Sequence, residues 1–182
     1  DVERLAGQGV CIEKHPADKD QTDLELALIW ALSAGCQRIR IAAAQGNRLD
    51  QVLGNLFLLM LPDVVQRDVR LEDGRDEVFL IKTRAMVHGQ PGDRVSLLPL
   101  GEPAVGVCTR GLQYALTGET LFPERTRGIS NVMLYDSAEI EVGRGILICI
   151  HTRLTMAEKE KVVELPGPSE SGPNETKLRT IK

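Results

Sequence analysis

The spacing of apolar residues changes once along this chain, near Pro62, and the change separates two kinds of fold. Before Pro62, apolar residues recur three and four positions apart in two stretches, with a short apolar run between them, as in helix, strand, helix. After Pro62, runs rich in valine, isoleucine and leucine are broken roughly every eight to twelve residues by glycine or proline. The pattern predicts an α/β portion followed by an all-β portion.

Helix signals are clearest in the first third. Thr22 and Glu25 have the spacing of a capping box, and Gly35 stands where a left-handed helix end is expected. The apolar pattern then predicts a strand over residues 38–44 and a second helix that ends before Pro62. We therefore expect a parallel α/β layer.

The later residues predict an antiparallel β-sandwich. Candidate strands cover residues 64–71, 78–81, 95–100, 105–109, 129–134 and 145–152. From Arg153 onward, alternating Glu and Lys precede a segment rich in Pro, Gly and Ser, which predicts a short helical extension and then a disordered tail. The expected domains are residues 1–75 (α/β), 76–153 (β-sandwich) and 154–182 (tail).

Composition excludes several classes of protein. The 182 residues carry a formal net charge of −4, which argues against a nucleic-acid-binding protein with a basic face. No apolar run has membrane-spanning length, and the first residues lack the pattern of a signal peptide. We expect a cytoplasmic protein. Four scattered cysteines predict buried, reduced thiols rather than a zinc site, namely Cys11, Cys36, Cys108 and Cys149.

Two polar clusters precede the predicted helices: KDQTD at residues 19–23 and GNRLDQ at residues 46–51. Carboxylates can hold a cation, while basic side chains and free helix N–H groups bind phosphate. Helix capping alone explains Thr22 and Asp23 but not Lys19 and Asp20. The second cluster could equally be a turn with an acid in the first helical turn. The functional interpretation is favoured because loops of this kind converge at the carboxyl edge of a parallel sheet.

A third polar pair, Ser130 and Asn131, follows Gly128 in an otherwise apolar β region. By itself, the pair could be an ordinary turn or a hydrogen-bonded pair within a strand.

Together these segments resemble the thiamine pyrophosphokinase family. KDQTDLELAL at residues 19–28 is similar to the family's KDxTDxExAL segment, and GNRLDQ with Asn55 is similar to its GGRxDH segment and later asparagine. VSLLPL at residues 95–100 and GVCTRGLQY at residues 106–114 resemble the start of its β domain. GISN at residues 128–131 resembles its GTSN motif. The resemblance covers residues 18–150.

The chain departs from the family pattern in four places. Asn47 replaces a glycine, Gln51 replaces a histidine that animal members also replace by glutamine, and Ile129 replaces a threonine. The family's GDxDS motif, expected just upstream of Val2, is not present. On the resemblance, we expect the chain to be a fragment that lacks it.

The resemblance implies a partial Rossmann-like, ATP-binding α/β domain and a thiamine-binding β-sandwich. The reaction would transfer diphosphate from ATP to the hydroxyl of thiamine. Catalytic roles would fall to Asp20, Asp23 and Arg48, with Asp20 and Asp23 also holding Mg²⁺. Nucleotide contacts would come from Lys19, Thr22, Asn47 and Arg48, and thiamine contacts from Asp50, Gln51, Ser130 and Asn131.

Family members are homodimers that pack through their sandwiches, so a homodimer is expected here. Two alternatives remain: a related diphosphokinase that acts on a hydroxymethylpterin, or a non-catalytic module that binds thiamine or dimerises. Ser130 and Asn131 favour thiamine, because this pair carries the family's thiamine contact.

Overall fold

The computed structural model describes residues 2–16, 18–46 and 48–163. These residues form two compact units. Those up to Arg40 and those from Gly46 to Val69 belong to the first unit, and the others belong to the second.

The first unit is mainly helical. Its helices are α1 (Val2–Gly7), α2 (Asp23–Ser33), α3 (Leu49–Leu58) and α4 (Pro62–Val65). Strand β1 (Arg38–Ala42) follows α2 in the chain, and its last two residues belong to the second unit. Thr22 caps α2 as predicted, because its hydroxyl accepts a hydrogen bond of 3.1 Å from the Glu25 N–H. Gly35 follows α2 with a φ of 81°, a backbone conformation that glycine adopts without strain.

The strand predicted over residues 64–71 is wrong in its first half. Val64 and Val65 lie in α4, and strand β2 covers only Asp68–Glu72. Pro62 favours a helix start, because its fixed φ suits the first turn and no helical bond needs its missing N–H. β2 lies beside β1 in the sheet order, and the Asp68 N–H donates to the Gln37 carbonyl at 3.1 Å.

The second unit contains two sheets. Its further strands are β3 (Asp76–Ile81), β4 (Arg84–His88), β5 (Arg94–Pro99), β6 (Ala104–Arg110), β7 (Thr117–Leu121), β8 (Asn131–Val132), β9 (Ser137–Glu141) and β10 (Leu147–Thr152). One sheet continues from β2 in the order β2-β3-β10-β5-β8, and the other has the order β4-β9-β6-β7. β10 pairs antiparallel with β3 and β5, so that Cys149 lies opposite Phe79 and Leu97. The main hydrophobic core takes side chains from both sheets.

Apolar strands were easier to predict than polar ones. Strands at residues 78–81, 95–100, 105–109 and 145–152 correspond to β3, β5, β6 and β10, whereas the prediction over 129–134 shrinks to the two residues of β8. β4, β7 and β9 were missed because each carries charged or hydroxyl side chains on one face. The structure contains both helices and sheets, which confirms the prediction of a mixed α and β fold at this coarse level.

Order continues beyond residue 153. Helix α5 covers Met156–Val163, and the Thr155 N–H donates to the Glu158 carboxylate at 2.9 Å in front of it. Leu154 and Lys159 are buried. The predicted tail over 154–182 therefore begins with an ordered helix, and residues 164–182 lie outside the described residues.

The prediction that the cysteines are buried is confirmed for one of the four. Cys149 is buried, Cys108 is half-buried, and Cys11 and Cys36 are exposed. Cys11 and Cys36 lie in the first unit, outside the β core. Burial raises the pKa of the Cys149 thiol. Within the described chain, each helix is too short or too polar to cross a lipid bilayer.

Candidate functional site

The first polar cluster forms an internal ion pair. Lys19 Nζ donates to Asp23 Oδ1 at 2.5 Å, while the Asp23 side chain stays 93% exposed. The hydrogen bond and the positive charge of Lys19 hold the pKa of Asp23 below its usual value. Asp23 is therefore an ionised carboxylate at the start of α2. Asp20 and Thr22 are exposed beside it.

Lys19 and Asp23 also line a pocket of about 700 Å³ that lies within the first unit. Its other lining residues come from the segment before α2 and from one face of α2: Cys11, Glu13, His15, Pro16, Leu26, Ala27 and Trp30. The pocket combines apolar and charged groups, as small-molecule sites do.

The second polar cluster follows β1 and begins α3. Arg48 Nη2 donates to Asp50 Oδ2 at 2.6 Å, and both side chains are about two-thirds exposed. The hydrogen bond from Arg48 lowers the pKa of Asp50 and raises that of Arg48. Gln51 is exposed in the same helical turn. Asn47, the predicted nucleotide contact, lies outside the described residues.

The two polar clusters form separate groups of interacting side chains. Within residues 2–16, 18–46 and 48–163, no hydrogen bond or ion pair joins Lys19 or Asp23 to Arg48 or Asp50. The same residues contain no group of three or more His, Cys, Asp or Glu that could enclose a metal.

Ser130 has an unusual backbone. Its φ is 59°, a left-handed conformation that is uncommon for residues other than glycine. The Ser130 N–H donates to Ser96 Oγ at 3.0 Å. Two residues earlier, a Cβ on Gly128 would clash with the carbonyl oxygen of Leu97 on β5. The loop is therefore built closely against β5.

Asn131 is buried, with 8% of the residue exposed to solvent. Its side-chain oxygen accepts from the Tyr114 N–H at 2.9 Å, and its nitrogen donates to the Tyr114 carbonyl at 2.7 Å. The same oxygen accepts from the Val132 N–H at 2.9 Å. Ser130 and Asn131 are thus neighbours with different surroundings.

Sequence reasoning missed Ser96 and Tyr114 as partners of this pair. Both lie in segments that carried the family resemblance, residues 95–100 and 106–114, but nothing local marks them, since their partners lie 34 and 17 residues away.

Sequence reasoning also missed a buried charged network in the second unit. His151 on β10 is fully buried between two carboxylates, with Nε2 at 3.3 Å from Asp93 Oδ2 and Nδ1 at 3.7 Å from Glu77 Oε2. Lys159 Nζ on α5 contacts Asp93 Oδ1 at 2.9 Å, and Arg70 contacts Glu77 at 2.9 Å. The longer separation on the Glu77 side is an electrostatic contact rather than a full hydrogen bond. This network joins α5 to the sheet.

Comparison with known proteins assigns the family. Residues 1–71 match the family model described as "Thiamin pyrophosphokinase, catalytic domain", and residues 81–147 match "Thiamin pyrophosphokinase, vitamin B1 binding domain". The chain belongs to the thiamin pyrophosphokinase family. Both polar clusters lie in the first matched segment, and Ser130 and Asn131 lie in the second.

Curated relatives and solved structures carry the same family name. The chain is 28% identical to thiamine pyrophosphokinase of Bacillus subtilis, over 82% of this chain and 71% of that protein. It is 30% identical to thiamine pyrophosphokinase 1 of Arabidopsis thaliana, over 82% of this chain and 58% of that protein. The chain thus spans only part of the length of these relatives.

Two crystal structures of thiamin pyrophosphokinase family proteins show the likeness in three dimensions. The Bacillus subtilis enzyme aligns with a TM-score of 0.70 at 29% identity, over 75% of this chain and 65% of that one. The Enterococcus faecalis protein aligns with a TM-score of 0.72 at 26% identity, over 85% of this chain and 75% of that one.

Proposed function

We propose that this protein is a thiamine diphosphokinase. The observation that carries the proposal is the order of the two family matches, a catalytic domain at residues 1–71 and a vitamin B1 binding domain at residues 81–147. The first contains a pocket edged by an ionised carboxylate and a lysine, which suits a nucleotide. The second contains a strained, exposed serine.

In the proposed reaction, the hydroxyl oxygen of thiamine attacks the β-phosphorus of ATP. A new oxygen–phosphorus bond forms, the bond between the β-phosphorus and the oxygen bridging it to the α-phosphate breaks, and AMP leaves. The hydroxyl loses its proton to solvent. Such a transfer depends mainly on alignment and on neutralising the charge of the phosphates.

Asp20 and Asp23 are the residues that would hold Mg²⁺. The site fits this ion in part, because Mg²⁺ in nucleotide sites is usually held by one or two carboxylates together with phosphate oxygens and water. Asp23 is exposed, and its lowered pKa keeps it ionised. When bound, the ion would neutralise phosphate charge.

The basic groups of the two clusters are assigned to the nucleotide. Lys19 and Arg48 would donate to phosphate oxygens, with Thr22 and Asn47 beside them. Each basic group is paired with a carboxylate in the described structure, so nucleotide binding would exchange these partners for phosphate. Asp20, Asp23 and Arg48 would act on the transferred group.

Thiamine is assigned to the remaining predicted residues. Asp50 would accept a hydrogen bond from the aminopyrimidine, with Gln51 nearby. Asp50 has a pKa below its usual value, so it is an ionised acceptor at neutral pH. Ser130 and Asn131 would contribute from the second unit.

The proposed architecture completes this assignment. Residues 1–75 would form a Rossmann-like nucleotide-binding domain, and residues 76–153 a β-sandwich through which two copies of a cytoplasmic protein form a homodimer. Support comes from the two sheets that share one hydrophobic core. The molecular mass in solution, from light scattering, tests the dimer.

The activity test uses the full-length protein with ATP, Mg²⁺ and thiamine. We expect AMP and thiamine diphosphate to form in equal amounts, resolved by chromatography. A parallel reaction offers a hydroxymethylpterin instead of thiamine. AMP formation with the pterin and none with thiamine would contradict the proposal and favour a related diphosphokinase. Thiamine binding without any AMP formation would favour a non-catalytic module.

A further inference from the structure

Helix α5 lies beyond the segments that match the family models. The match to the vitamin B1 binding domain ends at residue 147, whereas α5 covers Met156–Val163. An isolated helix of this length is not stable in water, so the order of α5 depends on contacts with the rest of the second unit. Several of these contacts are made with the turn between β4 and β5, residues 89–93.

Asp93 is the centre of the contacts between α5 and this turn, and its side chain is buried. Its Oδ1 accepts from Lys159 Nζ at 2.9 Å and from the Leu154 N–H at 3.1 Å. Its Oδ2 accepts from the Gln90 N–H at 2.9 Å. Burial raises the pKa of Asp93, but these hydrogen bonds outweigh burial and hold the pKa below its usual value. Asp93 is therefore an ionised, buried carboxylate that receives a positive charge from α5.

The aliphatic part of Lys159 packs on the same turn. A Cβ on Gly92 would lie 3.0 Å from both Cγ and Cδ of Lys159, so the lysine side chain lies against the glycine backbone. Gly89 approaches β10 in a similar way, because a Cβ there would lie 2.6 Å from His151 Nε2. The turn is therefore packed closely against both α5 and β10.

The backbone of the same turn holds the chain just after β8. The Met133 N–H donates to the Asp93 carbonyl, and the Gly92 N–H donates to the Met133 carbonyl, each at 2.8 Å. Met133 is buried in the main core, and it directly follows Asn131 and Val132 of β8. The side chain of Asp93 thus binds α5, while its backbone binds the residue that follows β8.

We propose that α5 is a strap that positions β8, and that Lys159 and Asp93 are positioning residues that act through Met133. The proposal rests on the proposed function, because Ser130 and Asn131 are assigned to thiamine there. Without the Lys159 charge, the buried Asp93 carboxylate loses the cation that α5 supplies, which is strongly unfavourable. The helix then undocks, and the turn holds Met133 less tightly. A ligand that needs β8 in place binds more weakly as the fraction of molecules with β8 in place falls.

Hydrogen exchange of backbone amides, measured by NMR on the full-length protein, tests the strap without a ligand. Lys159→Met keeps an apolar side chain on Gly92 but removes the charge. We expect the Leu154 and Met133 amides of this variant to exchange about tenfold faster, as for the loss of one hydrogen bond to a charged group. The Ile140 amide, in β9 of the other sheet, should keep its wild-type rate.

Dissociation constants from calorimetry test the consequence for binding. Lys159→Met should weaken thiamine binding by about fivefold, the lower end of coupling between distant sites, and leave ATP binding unchanged. A general loss of structure would not produce this difference. Lys82→Met is the matched control, because Lys82 is an exposed lysine of the same unit, and it should change neither exchange nor affinity. If Lys159→Met does not fold, Lys159→Gln, which keeps a neutral donor, replaces it with smaller expected effects.

Unchanged exchange at Met133 in Lys159→Met would overturn the strap. Equal acceleration of Met133 and Ile140 would overturn it too, because that result indicates a general loss of stability. Faster exchange at Met133 with unchanged thiamine affinity would overturn the positioning roles of Lys159 and Asp93. These three results leave the proposed function intact. No thiamine binding by the wild-type protein would overturn the proposed function and the role of α5 in it, whereas the exchange rates would still decide whether α5 holds β8.

Discussion

At the scale of single residues, Asp23 has two possible roles that its position alone does not separate. It lies in the first turn of α2, where a negative charge stabilises the helix dipole, and it lines the pocket beside Lys19. Structural and functional roles predict different losses on substitution.

We expect Asp23→Asn to lower turnover by at least tenfold while changing the unfolding midpoint little. The amide keeps the size of the side chain but loses the charge that a Mg²⁺ ligand needs. Diphosphokinase rates and thermal unfolding of the same preparations check this. Thr22→Ala is the matched control, expected to cost about 1 kcal/mol of stability through the lost cap. An early-melting Asp23→Asn whose folded fraction has normal specific activity would identify Asp23 as a structural residue only.

Local sequence could predict Thr22 but not the environment of Asn131. The partner of Thr22 is three residues away, within the spacing of a known capping pattern. The partner of Asn131 is 17 residues away, on another connection of the sheet. Motif comparison placed Ser130 and Asn131 in one group, whereas tertiary structure makes one exposed and the other buried.

At the scale of secondary structure elements, burial pattern decided which strands were predictable. β3 and β10 have mostly buried side chains, and both were predicted. β4 and β7 have largely exposed or half-buried residues, so their sequences resemble loops until a neighbouring strand supplies hydrogen bonds. α4 illustrates the converse case, since its two valines favour a strand but follow a proline that starts a helix.

The electrostatic contact between Glu77 on β3 and His151 on β10 should make the stability of the second unit fall at acid pH. The His151 ring, followed by the Arg70 guanidinium, lowers the pKa of Glu77 from 4.5 to about 2. The unfolded chain therefore binds a proton at higher pH than the folded chain does. The stabilisation from Glu77 is complete above about pH 4.5 and is lost as the pH falls toward 2.

We expect wild-type stability to fall between pH 4.5 and 2 more steeply than that of Glu77→Gln, by a difference on the order of 3 kcal/mol at most. Urea unfolding at several pH values measures it. Glu124→Gln, which changes an exposed carboxylate, should follow the wild-type slope. If the free energy of unfolding falls with pH equally steeply in wild type and Glu77→Gln, the folded and unfolded chains bind the Glu77 proton equally.

At the scale of the whole molecule, the apolar spacing changes near Pro62, and the chain divides into two compact units. The structural boundary lies between Val69 and Arg70 in the later part of the chain, close to the end of the first family match at residue 71. The spacing of apolar residues could not predict that residues 41–45 belong to the second unit, because that assignment depends on contacts with residues far along the chain.

The pocket in the first unit also contains an intrinsic fluorophore, Trp30. Trp30 is the sole tryptophan of the sequence; it lines the pocket beside Lys19 and is 59% exposed. Its fluorescence therefore reports on this pocket without background from the second unit. We expect Mg²⁺ and ATP to shift the emission to shorter wavelength as water leaves the indole, and Lys19→Ala to require more ATP for the same shift. Emission that stays constant through saturating ATP would place the nucleotide elsewhere.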